Sequence, residues 1–139
     1  MLARIIYYSK NHTTINVEDL RRIYESSQRE NAAQGITGLL YHNEFYFLQV
    51  LEGDRETINK LYKKILLDDR HSDVILISAE DINIRCYGNW SMLYVNEVNF
   101  KKEELLKFFP QKKFSPDNMT SENLKCFALN IELNQVLKS

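Results

Sequence analysis

Glycine, proline and cysteine are all scarce in this 139-residue chain, with four, two and two copies respectively. The four glycines assemble no Gly-rich phosphate loop. The two cysteines, Cys86 and Cys126, have no metal-ligand spacing, and as isolated thiols they suit a reducing cytoplasm better than a disulfide framework. No Ser/His/Asp or Cys/His set falls in a catalytic motif, and there is no internal repeat or low-complexity tract. Charge of one sign is also lacking. The formal net charge is −1, which argues against a general affinity for nucleic acid or anionic membrane. No apolar run approaches the roughly 20 residues needed to span a bilayer, and the N-terminus MLARIIYYSK lacks a signal-peptide cleavage site. The expectation is one cytoplasmic domain, long enough to bury its own core.

What is present centres on Ile36–Gly53, ITGLLYHNEFYFLQVLEG. Two apolar runs, Ile36–Tyr41 and Phe45–Leu51, flank His42-Asn43-Glu44, the pattern of a β-hairpin. Strand alternation puts Phe45, Phe47, Gln49 and Leu51 on one face, and Tyr46, Leu48 and Val50 on the other. Both faces are largely apolar, so the strand is expected to be central and covered. A primary amide buried there must find partners or cost about 1–3 kcal/mol. Something must sit over Gln49.

Leu2–Tyr8 reads as a first strand, with Ala3, Ile5 and Tyr7 on one face. Asn16 is expected to cap a helix whose inward stripe holds Leu20, Ile23, Tyr24 and Ser27, and which Gln34-Gly35 stops. After the hairpin, Asp54 caps a second helix with Ile58, Leu61, Tyr62, Ile65 and Leu66 at amphipathic spacing. Asp68-Asp69-Arg70-His71-Ser72 closes it as a charged loop. Val74–Ala79 reads as a strand, Arg85–Tyr87 as a brief pairing segment, and Trp90–Val95 as the last strand. Helices over Lys102–Phe109 and Ser121–Leu137 follow, separated by a loop containing Pro110 and Pro116. The order is βαββαββ: an α/β (α+β) ferredoxin-like mixed sheet over residues 1–98, both helices on one face. The C-terminal helical extension, 99–139, is expected to cover the other face or a partner.

Such a sheet hosts many functions. Gln49 is as readily a satisfied structural amide as a group aimed at a ligand. Either Tyr7 or Tyr8 could reach it, and strand period does not choose between them. The Asp68–His71 cluster could serve acid–base chemistry but reads more naturally as a solvated helix end. His12 and His42 read as surface residues, and Trp90 with Met92 as core. The residues alone point to a small-ligand or protein-binding domain, with light-independent regulation as one reading.

Six strings, taken in order and with their spacing, are more specific: RIIYYS (Arg4–Ser9), ESSQREN (Glu25–Asn31), GITGLL (Gly35–Leu40), FLQVLEG (Phe47–Gly53), DDRH (Asp68–His71) and NWSM (Asn89–Met92). Together they resemble the BLUF domain, the sensor of blue light using FAD, across residues 1 to about 97. The tail is similar to that of short stand-alone members, which signal to other proteins and are not enzymes themselves. The resemblance implies non-covalent FAD, Tyr7 as the photoactive tyrosine and Gln49 as the switching glutamine. It implies flavin contacts from Ile23, Asn31, Lys64, Ile65, Asp68, Arg70 and His71, with Trp90 and Met92 relaying the signal. Expected partners are a response or transcriptional regulator and a second copy of the chain. Glu30 departs from the family's usual Asn, His or Arg, and Cys86-Tyr87 from its usual pair before Trp90, the latter read as a packing change.

Overall fold

The computed structural model describes residues 1–11, 17–68 and 72–137. The expected cap at Asn16, together with His12, lies outside the described residues, as do Arg70 and His71. Five strands form one sheet: β1 (Leu2–Lys10), β2 (Thr37–His42), β3 (Tyr46–Asp54), β4 (Ser72–Asp81) and β5 (Leu93–Asn96). Their spatial order is β4-β1-β3-β2-β5, with β2 and β5 parallel and the other neighbours antiparallel. Helices α1 (Val17–Ala33) and α2 (Arg55–Leu66) cross one face, giving the expected ferredoxin-like arrangement.

The two-residue period of the central strands sorts the core into two. Ala3, Ile5, Tyr7, Leu40, Phe47 and Leu51 pack beneath the helices with Ile36, Ile58 and Met92. Ile6, Tyr8, Leu39, Tyr41, Leu48 and Val50 face the opposite way, toward the tail. There Phe100, Phe109, Phe114 and Phe127 are all buried and meet mostly edge to face, with Phe109 and Phe127 centroids 5.1 Å apart. Such pairs add about 0.5–1.5 kcal/mol beyond the area they bury. The tail is thus an aromatic cover for the sheet.

Local chemistry explains the turns that hold the hairpin. Asp54 caps α2, its side chain accepting from Thr57 N. Gly35, at φ 68°, ends the approach to β2 in a conformation other residues rarely adopt. At Gly38 a Cβ would lie 1.9 Å from Val50 O, so only glycine lets β2 lie this close to β3.

Several expected boundaries move. Phe45 falls outside β3 and is exposed, and Leu66, at the end of the α2 stripe, is exposed as well. The last strand starts at Leu93, leaving Trp90 and Met92 in the segment before it and not on a shared strand face. Arg85–Tyr87 does not pair with a strand. The Cys86 and Tyr87 amides donate instead to the Glu52 carboxylate, at 2.8 and 2.7 Å, and the Arg4 guanidinium completes that buried group at 2.8 Å. This pair does more than pack: the Tyr87 hydroxyl also donates to Ala128 O, fastening the tail. The tail helices are shorter than expected, α3 being Lys102–Leu106 and α4 Ser121–Leu129. At the end of α4 the Asn130 side chain donates to Cys126 O, closing the helix before a short 3-10 turn at Leu133–Gln135.

Candidate functional site

A cavity of about 250 Å³ opens between α1 and α2 above β2 and β3. The stripe of α1 supplies Ile23, Ser27 and Asn31, and α2 supplies Leu61, Lys64 and Ile65, with Asp68 just beyond its end. The sheet supplies the floor, Leu40, Phe47 and Gln49. Six of the residues expected to bind a ligand therefore line one space: Ile23, Asn31, Gln49, Lys64, Ile65 and Asp68. Ile23 is buried under α1, whereas Lys64 and Glu30 are exposed and stand on the helices that flank the cavity. Leu40, Phe47 and Leu61 also line it and stand outside the expected set. Alternation and helical period could have found them, since Phe47 shares a strand face with Gln49 and Leu61 an inward stripe with Ile65.

Tyr7 lies beside this floor, on the neighbouring strand and on the same helix-covered face. It is fully buried and directly opposite Gln49 in the β1–β3 register, and its hydroxyl donates to Gln49 Oε1. Tyr8 points to the tail face, so the ladder resolves the choice between the two tyrosines. Burial, reinforced by Tyr62 and Asp68, pushes the Tyr7 phenol well above its ordinary range, so it is neutral at physiological pH. The Tyr62 ring lies 5.7 Å from that of Tyr7.

The other end of the Gln49 amide meets a softer partner. Its Nε2 lies 4.0 Å from the Met92 sulfur, a weak acceptor. Met92 is 1% exposed and Trp90 38%, so of the two expected relay residues only Met92 reaches the amide. The segment carrying them is pinned twice: Asn31 Nδ2 donates to Ser91 O at 2.9 Å, and Gly38 N to Trp90 O at 3.0 Å. Asn31 thereby uses one amide N–H and keeps its carbonyl oxygen and second N–H for the cavity.

Tyr94, the parallel neighbour of Leu40, stacks at a tilt on Tyr24 of α1 with centroids 5.4 Å apart. Its buried hydroxyl has no partner among the described residues, and burial pushes its pKa up to about 12. His42 is not the surface residue expected. It packs against Phe47 at 4.8 Å, its Nδ1 is buried without a partner among the described residues, and burial lowers its pKa.

The family model for BLUF, sensors of blue-light using FAD, matches residues 2–93. Photoactivated adenylate cyclase subunit beta of Euglena gracilis is 33% identical over 110 residues, 78% of this chain and 12% of that protein. The chain thus spans only 12% of the length of this curated relative. The blue light- and temperature-regulated antirepressor BluF of Escherichia coli (strain K12) is 24% identical over 123 residues, 88% of this chain and 30% of that one. Among solved structures, BlsA in its ground state superposes with a TM-score of 0.82 at 30% identity, covering 95% of this chain and 90% of that one. The cavity's residues fit a flavin ring. Ile23 and Ile65 offer apolar walls from opposing helices, and the Asn31 and Gln49 amides offer donors and acceptors for a heteroaromatic edge.

Proposed function

This chain belongs to the BLUF family, the sensors of blue light using FAD, and from that premise we propose that its Tyr7–Gln49 pair is the light-responsive element. FAD is the cofactor of the family. We assign its ring to the cavity between Ile23 and Ile65, held without a covalent bond by Asn31 and Gln49, with Lys64, Asp68, Arg70 and His71 serving its polar parts. The bound flavin supplies blue-light absorption and, when excited, a strong oxidant. The protein's contribution is a neutral phenol with one acceptor in place for its proton. An electron drawn from Tyr7 can leave while its proton moves along the bond to Gln49 Oε1, and both can return.

Gln49 suits this task because its two ends are unequally held. Turning the amide over exchanges the bond to Tyr7 and the weak contact to Met92, and a shift to the imidic acid tautomer changes donor and acceptor in place. Either change gives Tyr7 and Met92 a different partner without altering net redox state. To signal, the new arrangement need bias a two-state element by only about 1–3 kcal/mol. The Trp90–Met92 segment and the tail beyond residue 98 are that element, with residues 1–98 as the sensor unit. The name of the BluF antirepressor supports an output to a response or transcriptional regulator. The family's description as sensors supports a signalling role for this chain, through such a regulator or through a second copy of itself.

The observation that carries this reading is the bond between the buried Tyr7 hydroxyl and a glutamine that also lines the cavity. Absorption spectra of the FAD-loaded chain before and after blue light test it. A small red shift that reverses in the dark is expected, and a chain that binds FAD without such a shift would overturn it.

A further inference from the structure

Glu97 is a buried carboxylate that the photochemistry does not use. It opens a 3-10 turn directly after β5 and points into the aromatic core under the tail. Its Oε1 accepts from the Tyr41 hydroxyl at 2.6 Å and from Phe114 N at 2.7 Å, and its Oε2 accepts from Asn43 Nδ2 at 3.2 Å. Among the described residues no cation pairs with it. One charged side chain thus joins three separate parts of the chain: strand β2, the β2–β3 turn, and the tail loop between α3 and α4.

Each donor is itself fixed. Asn43 cannot turn its amide over, because its Oδ1 already accepts from Phe45 N and Tyr46 N at 2.9 Å, and its Nδ2 also reaches Phe114 O at 3.2 Å. The Tyr41 ring is buried among Phe100, Phe114 and Phe127, with centroids 5.4–5.9 Å away. The backbone neighbour of Tyr41 is Leu40, which lines the light cavity on the other face and stands opposite Gln49 in the β2–β3 ladder. A shift of β2 against β3 at Gln49 therefore moves the Tyr41 hydroxyl relative to Glu97.

We propose that Glu97 is the clasp that holds the tail loop to the sheet, and that it is the positioning residue through which the state of Gln49 reaches the tail. This rests on the photoreceptor reading above. It differs from the ion pair of Lys125 with Glu80 at 2.7 Å, another tail fastening, which is half-exposed and joins α4 to the far edge strand. In the dark the three donors converge and Phe114 stays seated. A light-driven displacement of Tyr41 loosens the clasp and frees the loop around Phe114.

The test is hydrogen exchange of the FAD-loaded full chain, dark and under blue light, read over residues 107–118 beside the absorption spectrum. Wild type is expected to show the red shift and faster exchange in that segment when lit. Glu97→Gln sets a new amide nitrogen against the fixed Asn43 nitrogen. It should keep the red shift, exchange in the dark at the lit wild-type rate, and lose the difference on illumination. Tyr41→Phe keeps the ring and removes one donor, and it carries the test if Glu97→Gln fails to fold; the same loss of difference is expected. A light-dependent difference equal to wild type in a folded variant overturns the clasp. So does a wild type that shows the red shift with no change over 107–118. A wild type without any red shift overturns the photoreceptor reading, and the clasp with it.

Discussion

Tyr7 and Gln49 are partners twice over: they stand opposite each other in the antiparallel β1–β3 ladder, and the hydroxyl of one donates to the amide oxygen of the other. The ladder fixes their separation, so the bond is a property of the strand register and not of loop conformation. Removing the hydroxyl while keeping the ring isolates its contribution. Tyr7→Phe should retain FAD, since Tyr7 stands beside the cavity and is not part of its lining, and should lose the reversible red shift. The visible spectrum under blue light is the check; a normal photocycle in this variant would sink the assignment of Tyr7.

Gln49→Leu probes the same bond from the other side, with a different readout. The buried Tyr7 hydroxyl would lose the acceptor that Gln49 provides, and the loss of one such hydrogen bond costs about 0.5–1.5 kcal/mol. Tyr7→Phe leaves the glutamine at the cavity, where water or ligand can meet it, and should cost less. Urea denaturation of both variants checks the order. Equal midpoints for the two would mean that the Tyr7 hydroxyl finds another acceptor.

Local pattern made Gln49 legible as a buried amide and set Ile23 and Ile65 on inward stripes, but it left Tyr7 and Tyr8 open, and only the family resemblance pointed to Tyr7. The same logic read Asp54 as a cap. It failed where long-range partners decide. The amides of Cys86 and Tyr87 are satisfied by a carboxylate 34 and 35 residues earlier in the chain, which no local pattern for 85–87 reveals. Nothing local marks Glu97, whose three donors come from β2, the β2–β3 turn and the tail loop and meet only in the fold. His42 is polar and near a turn, yet its place beside Phe47 on the helix-covered face half-buries it.

The Arg4–Glu52 pair should prove costly to break. Glu52 is completely buried and its carboxylate takes the Arg4 guanidinium and two backbone amides. Arg4→Ala leaves that charge in the core without its counter-ion, a loss on the order of 3–5 kcal/mol. Chemical denaturation should show it as a lower midpoint. A change within about 0.5 kcal/mol would place this pair with inert surface contacts.

Acid should weaken the fastening of α4. The Glu80 carboxyl is held below its ordinary value of 4.5: the hydrogen bond from Lys125 is the largest influence, burial opposes it, and the charges of Lys125 and Arg4 add to the lowering. A folded-state value lowered in this way means that the unfolded chain binds the proton more readily. The contribution is therefore complete above pH 4.5 and is lost as pH falls through the lower folded-state value. Because Glu80 is partly exposed, the effect should be modest and reduced by salt. Comparing wild type with Glu80→Gln between neutral pH and pH 3 checks the sign: the difference between them should shrink on acidification. A gap that widens would contradict it.

Asn31 has two jobs, and two substitutions disturb them to different degrees. Its amide holds Ser91 O, and with it the segment that brings Met92 to Gln49, and it also lines the cavity. Asn31→Ala removes both, so FAD should bind more weakly and the flavin absorption bands should shift in the dark. Asn31→Asp preserves size but replaces the donor with an acceptor, which sets a carboxylate against the Ser91 carbonyl. Loss of one hydrogen bond of about 1 kcal/mol is roughly a fivefold change in affinity, so the alanine variant should show at least that loss in a flavin titration. The aspartate variant should fall further, because repulsion at Ser91 O adds to the missing bond and displaces Met92 from Gln49. Equal affinity in both variants and wild type would remove Asn31 from the flavin site and leave it only the Ser91 contact.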